Sequence, residues 1–525
     1  MKISKKLWII LGSTVGGVAV AGGATVGVIA NLPQNVFASS IVGVYEDFLD
    51  REEIAPIYNM MQKGSLSFSM SKMIEDDENY LEGQSYSGKM YFSADKGFAI
   101  QDLKIKNEDF KLDGNLYYDM DTLYIEESEI LGGAYGINRN SAADDLDESI
   151  FAYGESKYSI GDKDLYEALL EALDATGDMK AKDQKNDLEK LSKKYTKQLW
   201  KIVSKNAEFE SESKRMKLNG ERKAVRVISM TIDSDAMADI VSDIYDFLST
   251  DDDLIEYLEK NEAIFAPMYV HTAKGEPQSI VEAYEDFLEE FEENLDDICE
   301  EIEDSDEELV IEIATPKMSS KLLKLTVLED DEKQFMIDFG TEGAKNTNKI
   351  TLESYSYYYG EEWANTYIYE IKENSKKKYE SVFEVNNEEI FAVKVDRVKD
   401  KYELSYGEMK LSGKISTKSK ATTITLDKVV DEWSETTIKT DLTIVIDQSD
   451  KMPTMPKSYD RISDITEKDI EKWAEKLEDA VGSEDGYCDR CLFNAAPYYY
   501  NGKEYCYDCY WDVIYGDDGF GDIFG

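Results

Sequence analysis

Histidine is almost absent from this chain of 525 residues, which carries a single one, His271. Catalytic triads and dyads that use a histidine base need this residue, as do metal sites built from several imidazoles. The sequence therefore excludes multi-histidine metal sites and leaves His271 as the sole residue for a histidine-based active site. His271 lies near a predicted domain junction, and we expect a surface or strand histidine there rather than a catalyst.

Basic residues are also scarce: 59 lysines and arginines face 110 aspartates and glutamates, giving a formal net charge of −51. So negative a field disfavours nucleic acid and anionic lipid headgroups as partners, whereas cations, basic proteins or calcium fit it better. A solvated surface that resists aggregation accounts for most of this charge. Hydrophobic residues make up 42% of the chain, which argues against an acidic disordered tail and for two or three folded domains.

Charge is missing altogether from residues 7–30, a stretch of 24 residues behind the basic segment 1–6. That length suffices to cross a bilayer core of about 30 Å. Lys2, Lys5 and Lys6 precede the stretch and acidic residues follow it. The positive-inside rule therefore places the N-terminus in the cytoplasm and the bulk of the chain outside the cell. We predict a cytoplasmic tail at 1–6 and a single-pass membrane anchor at 7–30.

A cleaved signal peptide is the alternative, because Val36 and Ala38 fit a small-residue cleavage site, and cleavage after Ala38 would give a secreted protein. Both alternatives export the rest of the chain. A lipoprotein anchor is excluded, since no cysteine lies near the stretch. Gly-x-x-x-Gly spacings at 12–16 and 23–27 would let two anchors pack into a weak homodimer, although ordinary composition also explains these glycines.

Four of the five cysteines form two Cys-x-x-Cys pairs close to the C-terminus: Cys488 with Cys491, and Cys506 with Cys509. Two such pairs are typical of a tetrahedral zinc site with four thiolate ligands, which is structural because no position is left for water. Between them, Asn-Gly at 501–502 predicts a β-hairpin that brings the second pair back to the first. Two disulfides are the alternative, because an exported segment meets oxidising conditions.

Residues 487–515 read as a Cys pair, a hairpin, a second Cys pair and a short helix. This order resembles a treble-clef or zinc-ribbon finger. The resemblance implies a small finger domain at 484–525 in which the four cysteines are the zinc ligands.

Calcium is the other metal that the acidic composition suggests, although no segment matches an EF-hand loop. Asp119 and Asp121 in one turn, and the Asp-rich run 144–148, offer oxygen ligands, but a turn or a helix start explains each of them. Alternate tyrosines in 355–359 would share one strand face and could stack on sugars, although tyrosine is frequent throughout the chain.

An internal similarity links residues 40–49 with 279–288, which agree at eight of ten positions. Each copy is predicted to open an amphipathic helix that leads into a strand. Phe48 and Phe287 occupy the same position in the two copies, and we predict both as core anchors. A chance similarity between two acidic helices is the alternative.

The repeat predicts two domains of similar construction, each with a helix leading into an antiparallel sheet. Residues 39–275 mix helices with hairpins, whereas 276–455 are nearly all strand after an acidic amphipathic helix. A helix and linker follow at 456–483, ahead of the finger at 484–525. We therefore predict an α+β fold: a transmembrane helix, two helix-plus-antiparallel-sheet domains and a small zinc finger.

Three motifs stand out at 50–58 (DREEIAPIY), 130–136 (ILGGAYG) and 450–456 (DKMPTMP), none of them specific to any chemistry. With a basic tail, one span, a helix and acidic sheets, the chain resembles uncharacterised membrane-anchored surface proteins of gut Firmicutes. The helix-plus-curved-sheet plan is also similar to lipoprotein-carrier cradles, which hold an acyl chain between a half-barrel and helices. That likeness implies a half-barrel and an apolar ligand.

The sequence contains no phosphate-binding loop, nucleophile elbow or HExxH motif. We therefore expect a non-enzymatic, membrane-anchored extracytoplasmic protein whose sheet domains bind a cationic or apolar ligand or a surface protein, without nucleic acid. The first alternative is a carrier or sensor of an apolar, lipid-like ligand, which needs a cavity between helix and sheet. The second is an extracytoplasmic hydrolase that uses two carboxylates with separated pKa values.

Overall fold

The computed structural model describes residues 32–75, 78–106, 111–161, 163–177, 181–261, 279–358, 361–481, 498–500 and 503–505. These residues form a mixed α+β structure made mostly of one large sheet, with ten helices, which confirms the α+β part of the predicted fold. The predicted anchor at 7–30, His271 and the four predicted zinc ligands lie outside the described residues. No helix in these ranges is both long and apolar enough to cross a membrane.

Three of the helices begin at residues whose side chains cap them. Ser279 and Glu282 form a capping box at the start of the acidic helix, and the side chain of Asp251 accepts a hydrogen bond from the backbone of Asp253 at the start of the helix Asp252–Lys260. In chain order the helices are α1 (Pro33–Leu49), α2 (Ala55–Gln62), α3 (Ala142–Asp147), α4 (Lys163–Gly177), α5 (Ala181–Asn206), α6 (Ser234–Ser249), α7 (Asp252–Lys260), α8 (Ile280–Glu303), α9 (Gly343–Asn346) and α10 (Glu467–Val481).

The strands are mostly those that alternation of apolar and polar residues predicts. In chain order they are β1 (Lys63–Met70), β2 (Met73–Glu75), β3 (Glu78–Asn79), β4 (Ser85–Ser93), β5 (Gly97–Lys106), β6 (Lys111–Tyr118), β7 (Thr122–Glu127), β8 (Gly133–Asn138), β9 (Glu208–Leu218), β10 (Glu221–Ile232), β11 (Leu309–Thr315), β12 (Lys324–Glu329), β13 (Glu332–Asp338), β14 (Lys349–Tyr358), β15 (Glu361–Asn374), β16 (Lys378–Val385), β17 (Glu388–Asp396), β18 (Lys401–Tyr406), β19 (Met409–Lys418), β20 (Ala421–Asp431), β21 (Thr436–Asp447), β22 (Asp460–Arg461), β23 (Tyr498–Tyr500) and β24 (Lys503–Tyr505).

One sheet contains 22 of these strands. Its spatial order is β8-β7-β6-β5-β4-β1-β21-β20-β19-β18-β17-β16-β15-β14-β13-β12-β11-β10-β9, and all of these neighbours are antiparallel. β2 pairs with β21 and β3, and β22 adds to β8 in parallel. β23 and β24 form a separate hairpin on either side of 501–502, as the Asn-Gly signal predicts.

The sheet is continuous across the two predicted sheet domains, 39–275 and 276–455. β1 from the first pairs with β21 from the second, and β10 pairs with β11. The two helix-plus-sheet segments therefore share one sheet in the described residues.

The repeat falls on helices in both places, but in different positions. Residues 279–288 open α8, whereas 40–49 form the second half of α1. The prediction that Phe48 and Phe287 anchor the core is wrong, because their side chains are 43% and 51% exposed. The buried residues of α1 end at the first two positions of the repeat, Ser40 and Ile41, so Phe48 falls beyond the buried part of that helix.

The main core lies where α1, α5, α6 and α8 cover one face of the sheet at β9–β13. Phe37 is 1% exposed, stacks on Trp200 with ring centroids 6.1 Å apart and meets the edge of Phe209 at 5.9 Å. Ile228 and Ile313 are fully buried from the strands beneath. Burying one such side chain contributes ~1.5–3 kcal/mol, so this end of the sheet is firmly packed.

A smaller cluster lies at the far end of the sheet, on β4–β8. Tyr117 and Tyr124 are buried with Ala99 under Tyr459, which belongs to the segment after β21. The ring of Tyr459 lies against Gly136, where a Cβ would come within 2.6 Å of a ring carbon. Burial raises the pKa of Tyr124 to about 12, so its hydroxyl stays neutral at ordinary pH.

Candidate functional site

The central strands β15–β21 and β1 have one face lined almost entirely by apolar side chains. Alternate residues of a strand share a face, and the pairing register aligns them from strand to strand. Most of the apolar residues on this face are half-buried, whereas Ile371 is buried and Tyr406 and Met409 are exposed. The half-buried ones include Tyr367, Tyr369, Tyr379, Phe383, Phe391, Val393, Val395, Tyr402, Leu404, Leu411, Ile424, Leu426, Leu442, Ile444, Ile446, Leu66 and Phe68.

This face continues the face that the helices cover at the other end of the sheet. The register runs from Ile313 through Leu325, Ile337 and Leu352 to Tyr367, each opposite the next on the neighbouring strand. The first three of these contribute to the main core, and the last lies on the central strands. One apolar face is therefore covered by helices over β10–β13 and free of these helices over β15–β21.

The opposite face of the central strands is mostly polar, although Val382 and Ala392 are buried on it. Glu380, Lys394, Glu403 and Ser412 form one row across β16–β19 on that face. The central sheet is therefore amphipathic, with solvent on its polar side and an apolar side that needs a partner to leave water.

α2 stands on the apolar side of the sheet, at the start of β1. The Cα atom of Met60 lies 2.9 Å from the position a Cβ on Gly64 would take, and Gly64 shares its face with Leu66. The helices of the main core stand on the same side beyond β14. Because a helix with its side chains is about 10 Å thick, the uncovered apolar face of β15–β21 is a recess between two raised walls. We call this surface the apolar recess.

Bulges interrupt the pairing of the strands that form the recess. The register shifts in β15, β16, β19 and β20, and bulges bend and twist a strand. At Gly413, beside one of these shifts, a Cβ would lie 1.7 Å from the carbonyl oxygen of Thr425 and 3.1 Å from the ring of Tyr402. Glycine is required here because the strands approach too closely for any side chain.

Residues 50–62, which connect α1 to β1 and include α2, form a strap along one rim of the recess. Arg51 is 3% exposed and anchors the strap. Its guanidinium donates hydrogen bonds to the carbonyl oxygens of Ala344 and Thr347, at the end of α9, and to the carboxylate of Glu53 at 3.2 Å. The several N–H donors of one guanidinium thus join the strap to α9.

Two tyrosines of the recess meet the strap at this rim. The hydroxyl of Tyr369 donates to Glu53 at 3.2 Å and lies 2.8 Å from the hydroxyl of Tyr379. Burial raises the pKa of Tyr369 far above its ordinary value, and the hydrogen bond with Tyr379 adds to this rise. Tyr369 therefore remains a neutral donor, suited to positioning the strap and unsuited to proton transfer near neutral pH.

Two grooves elsewhere on the surface carry mixed charge. One, of about 470 Å³, lies between α5 and α7. The other, of about 410 Å³, runs over β16–β20 and is lined by three lysines and four carboxylates, which nearly cancel. The charged residues of the second groove are Lys378, Glu380, Lys394, Asp396, Lys401, Glu403 and Asp427.

The sequence-predicted calcium candidates serve structural roles where they are described. Asp119 accepts hydrogen bonds from the backbone of Asp121 and Thr122 and so closes a hairpin turn. Asp145 is 1% exposed and pairs with Arg461 at 3.3 Å. Within the described ranges, no group of three His, Cys, Asp or Glu side chains is arranged to hold a metal ion.

The remaining predicted sites are only partly described. The hydroxyl of Tyr355 donates to Glu353, and Lys333 lies 5.9 Å from the centre of its ring. The other tyrosine side chains of the predicted stripe lie outside the described set. Cys488, Cys491, Cys506 and Cys509 are likewise outside it, so the zinc site stays a prediction.

Carboxylates with raised pKa values, which a general acid requires, do not appear among the shifted acids of the described residues. In the described acids whose pKa departs from its ordinary value, the pKa is lowered; hydrogen bonding from Lys205, for example, lowers the pKa of Asp243. The other acids shifted in this direction are Asp187, Asp251, Asp396, Asp431, Asp441, Asp450, Asp469 and Glu471.

Comparisons with known proteins give no relative for this chain: no family model, no curated protein and no solved structure matches it. The site must therefore be interpreted from its own geometry.

Sequence reasoning missed the strap, although it singled out residues 50–58 as a motif. Arg51 carried no local signal, because its partners Ala344 and Thr347 lie almost three hundred residues away. The apolar recess had a signal in the alternation of the strands, but alternation does not tell which strands a helix covers.

Proposed function

We propose that the protein is a non-enzymatic, membrane-anchored extracytoplasmic binding protein whose apolar recess holds a lipid-like ligand. The observation that carries this proposal is the amphipathic sheet, whose apolar face is packed under helices at β10–β13 and free of them at β15–β21. Extended apolar surface of this kind on an exported protein marks an interaction site. The bulges and the strap support a half-barrel, as in the lipoprotein-carrier cradles that the sequence resembles.

A small ligand fits the recess better than a second copy of the chain. α2 and the helical wall rise on the same side of the sheet and flank the recess. Two copies placed face to face would meet at these walls before their sheets came into contact. An elongated apolar molecule can lie between the walls along the strands.

Binding is better supported than hydrolysis by the polar groups around the recess. Arg51, Glu53 and Tyr369 use their hydrogen-bonding groups on one another and on the strap. Hydrogen bonds lower the pKa of described acids such as Asp243 and Asp396, which suits ion pairs and not a general acid.

The remaining parts of the proposal concern location and the C-terminus. Residues 7–30 would anchor the protein with its N-terminus in the cytoplasm, and cleavage after Ala38 would instead release it. The finger at 484–525 would be a structural zinc domain with no catalytic role. Digestion of intact cells with a protease that cannot enter them tests the orientation, since residues beyond the anchor should be degraded.

The test of ligand binding is a titration of the full chain with a monoacylglycerol, followed by native mass spectrometry. We expect one or two bound molecules per monomer. Leu404→Glu, which places a charge in the recess, should abolish binding, whereas Ser405→Glu, its neighbour on the polar face of β18, should leave it unchanged. Circular dichroism and denaturant unfolding would verify that both variants are folded.

Two outcomes would contradict the proposal. Equal binding by the two variants would show that the ligand does not lie in the recess. A stable dimer that binds no amphiphile would show that a second copy of the chain covers the apolar face.

A further inference from the structure

The rim of the recess that the strap follows is rich in lysine and arginine, although the chain as a whole is strongly acidic. Three segments meet at this rim: 376–378 at the start of β16, 397–401 between β17 and β18, and 414–420 at the end of β19. Together they contain nine lysines and arginines and one acid, Asp400. The register places them side by side, because β16 begins where β17 ends and β18 begins.

Two of these cations form ion pairs, Arg397 with Glu52 and Lys399 with Asp396, whereas several others form none with a described residue. Lys401 is directly opposite Lys414 on one neighbouring strand and opposite Asp396 on the other, so a single carboxylate faces two lysines across these strands. Neither lysine, nor any of the three at 376–378, forms an ion pair with another described residue. Elsewhere exposed lysines are commonly paired, as Lys410 is with Glu432. The rim therefore has positive charge that is available to an anion.

Arg397 connects this charge to the recess. Its guanidinium carbon lies 5.8 Å from the ring centre of Tyr379, which belongs to the apolar face, and its Nη1 donates to the carbonyl oxygen of Ser375 at 2.7 Å. Its Nη2 lies 3.5 Å from the carboxylate of Glu52 on the strap. Asn374 donates to the same carboxylate at 3.2 Å.

The contacts of Glu52 with Arg397 and Asn374 thus show how this rim binds a carboxylate. Its side chain is 71% exposed and its contact with Arg397 is long, so the pair contributes little to stability. An anionic group that arrives with an apolar chain in the recess can replace this carboxylate on Arg397 and Asn374. Arg397 would exchange one anionic partner for another and would not be left unpaired.

We propose that the ligand of the recess is a single-chain or double-chain amphiphile with an anionic head, a phosphate or a carboxylate. The head binds Arg397 and its neighbours Lys376 and Lys377, and the apolar chain lies on the face that contains Leu404. This inference rests on the proposed function and adds the class of head group.

The net charge of the chain does not oppose this arrangement at close range. At physiological ionic strength the Debye length is about 8 Å, so distant acids are screened and the cations of the rim dominate at the head group. The acidic surface would slow the approach of an anionic ligand more than it would weaken its binding.

The experiment compares two lipids with the same acyl chain, lysophosphatidylglycerol with an anionic head and monoacylglycerol with a neutral one. The test variant is Lys377→Gln with Arg397→Gln, two exposed cations at the rim. The matched control is Lys428→Gln with Lys439→Gln, two exposed lysines that face each other across β20 and β21 towards the opposite rim. Affinities are measured by isothermal titration below the critical micelle concentration, at low and at high salt.

We expect the anionic lipid to bind the native chain more tightly than the neutral lipid. The test variant should lose about tenfold in affinity for the anionic lipid, which corresponds to the loss of charge-assisted contacts, and the control variant should lose none. All three proteins should bind the neutral lipid equally, and the difference between the lipids should shrink at high salt.

The outcomes separate the two proposals. Equal affinity for the two lipids, or the same loss in test and control variants, would overturn the anionic head and leave the lipid-binding function standing. Failure of both lipids to bind would overturn the function itself. Glycerol 3-phosphate serves as the head without a chain; if it bound as tightly as the lipid, the ligand would be a free phosphate compound and not an amphiphile.

Discussion

Replacement of Arg51 by alanine should remove the hydrogen bonds that link the strap to α9. The guanidinium is 3% exposed and satisfies two carbonyl oxygens, those of Ala344 and Thr347, as well as Glu53. Hydrogen bonds from a charged group contribute about 1.5–3 kcal/mol each, and their loss here also leaves buried acceptors unpaired. We therefore expect a loss of ~3–5 kcal/mol in the free energy of unfolding, as for a buried ion pair that loses one partner.

Chemical denaturation, with the midpoint and the slope both fitted, measures this change. Arg51→Lys keeps the charge but not the fork of donors, and it should fall between the native chain and Arg51→Ala. Arg222→Ala is the control, because Arg222 is exposed on β10; its effect should stay within about 0.5 kcal/mol. A loss below about 1 kcal/mol for Arg51→Ala would refute the reasoning that this residue anchors the strap.

Three further predictions concern the bulge, pH and zinc. Gly413→Ala should cost at least ~1–3 kcal/mol in unfolding free energy, since its Cβ would overlap the backbone of Thr425, whereas Gly161→Ala meets open space and should cost little. Lys194 donates a hydrogen bond to Asp251; burial alone would raise the pKa of Asp251, but its hydrogen bonds lower it overall. The ionised Asp251 carboxylate adds its full stability above its unfolded pKa near ~4, and this stability is lost as pH falls through its folded pKa. In urea unfolding at several pH values, the loss of unfolding free energy caused by Asp251→Asn should therefore shrink below about pH 4. A loss that does not change with pH would contradict the assignment. Elemental analysis should find one zinc per chain; two intact disulfides without metal would decide for the oxidised alternative.

Local elements were predictable from the sequence because their signals are local. The Asn-Gly turn at 219–220 predicts the β9–β10 hairpin, and both residues have positive φ, 43° and 94°. Alternation predicts β18 and β19 nearly at their observed bounds. The boundary between α6 and α7 is harder to predict, because the run of three aspartates at 251–253 does not tell which of them caps the second helix.

Long-range pairing could not be predicted in the same way. β1 lies beside β21, with Leu66 opposite Ile446, yet nothing in either segment specifies the other. Phe287 illustrates the same limit for helices. A helical apolar stripe shows where contacts can form but not which part another element covers, and Phe287 stacks on Phe291 at 5.8 Å while remaining half exposed.

The candidate site depends on both kinds of information. The alternation of apolar and polar residues along the strands indicates the apolar face of the recess. Whether that face is covered depends on where the four core helices and α2 pack against the sheet. The basic rim arises because three short segments, each unremarkable alone, meet at the same ends of neighbouring strands. Neither property is visible in any single stretch of sequence.

The most direct test of the apolar recess is photo-crosslinking with a single-chain amphiphile that carries a diazirine near the end of its chain. The full chain is irradiated with the probe below its critical micelle concentration, and the labelled peptides are mapped by mass spectrometry. The account predicts adducts on the apolar face of β15–β21, at residues such as Phe391 and Leu404, that an excess of unlabelled lipid suppresses. Adducts confined to the helices or to the polar face of these strands would contradict it.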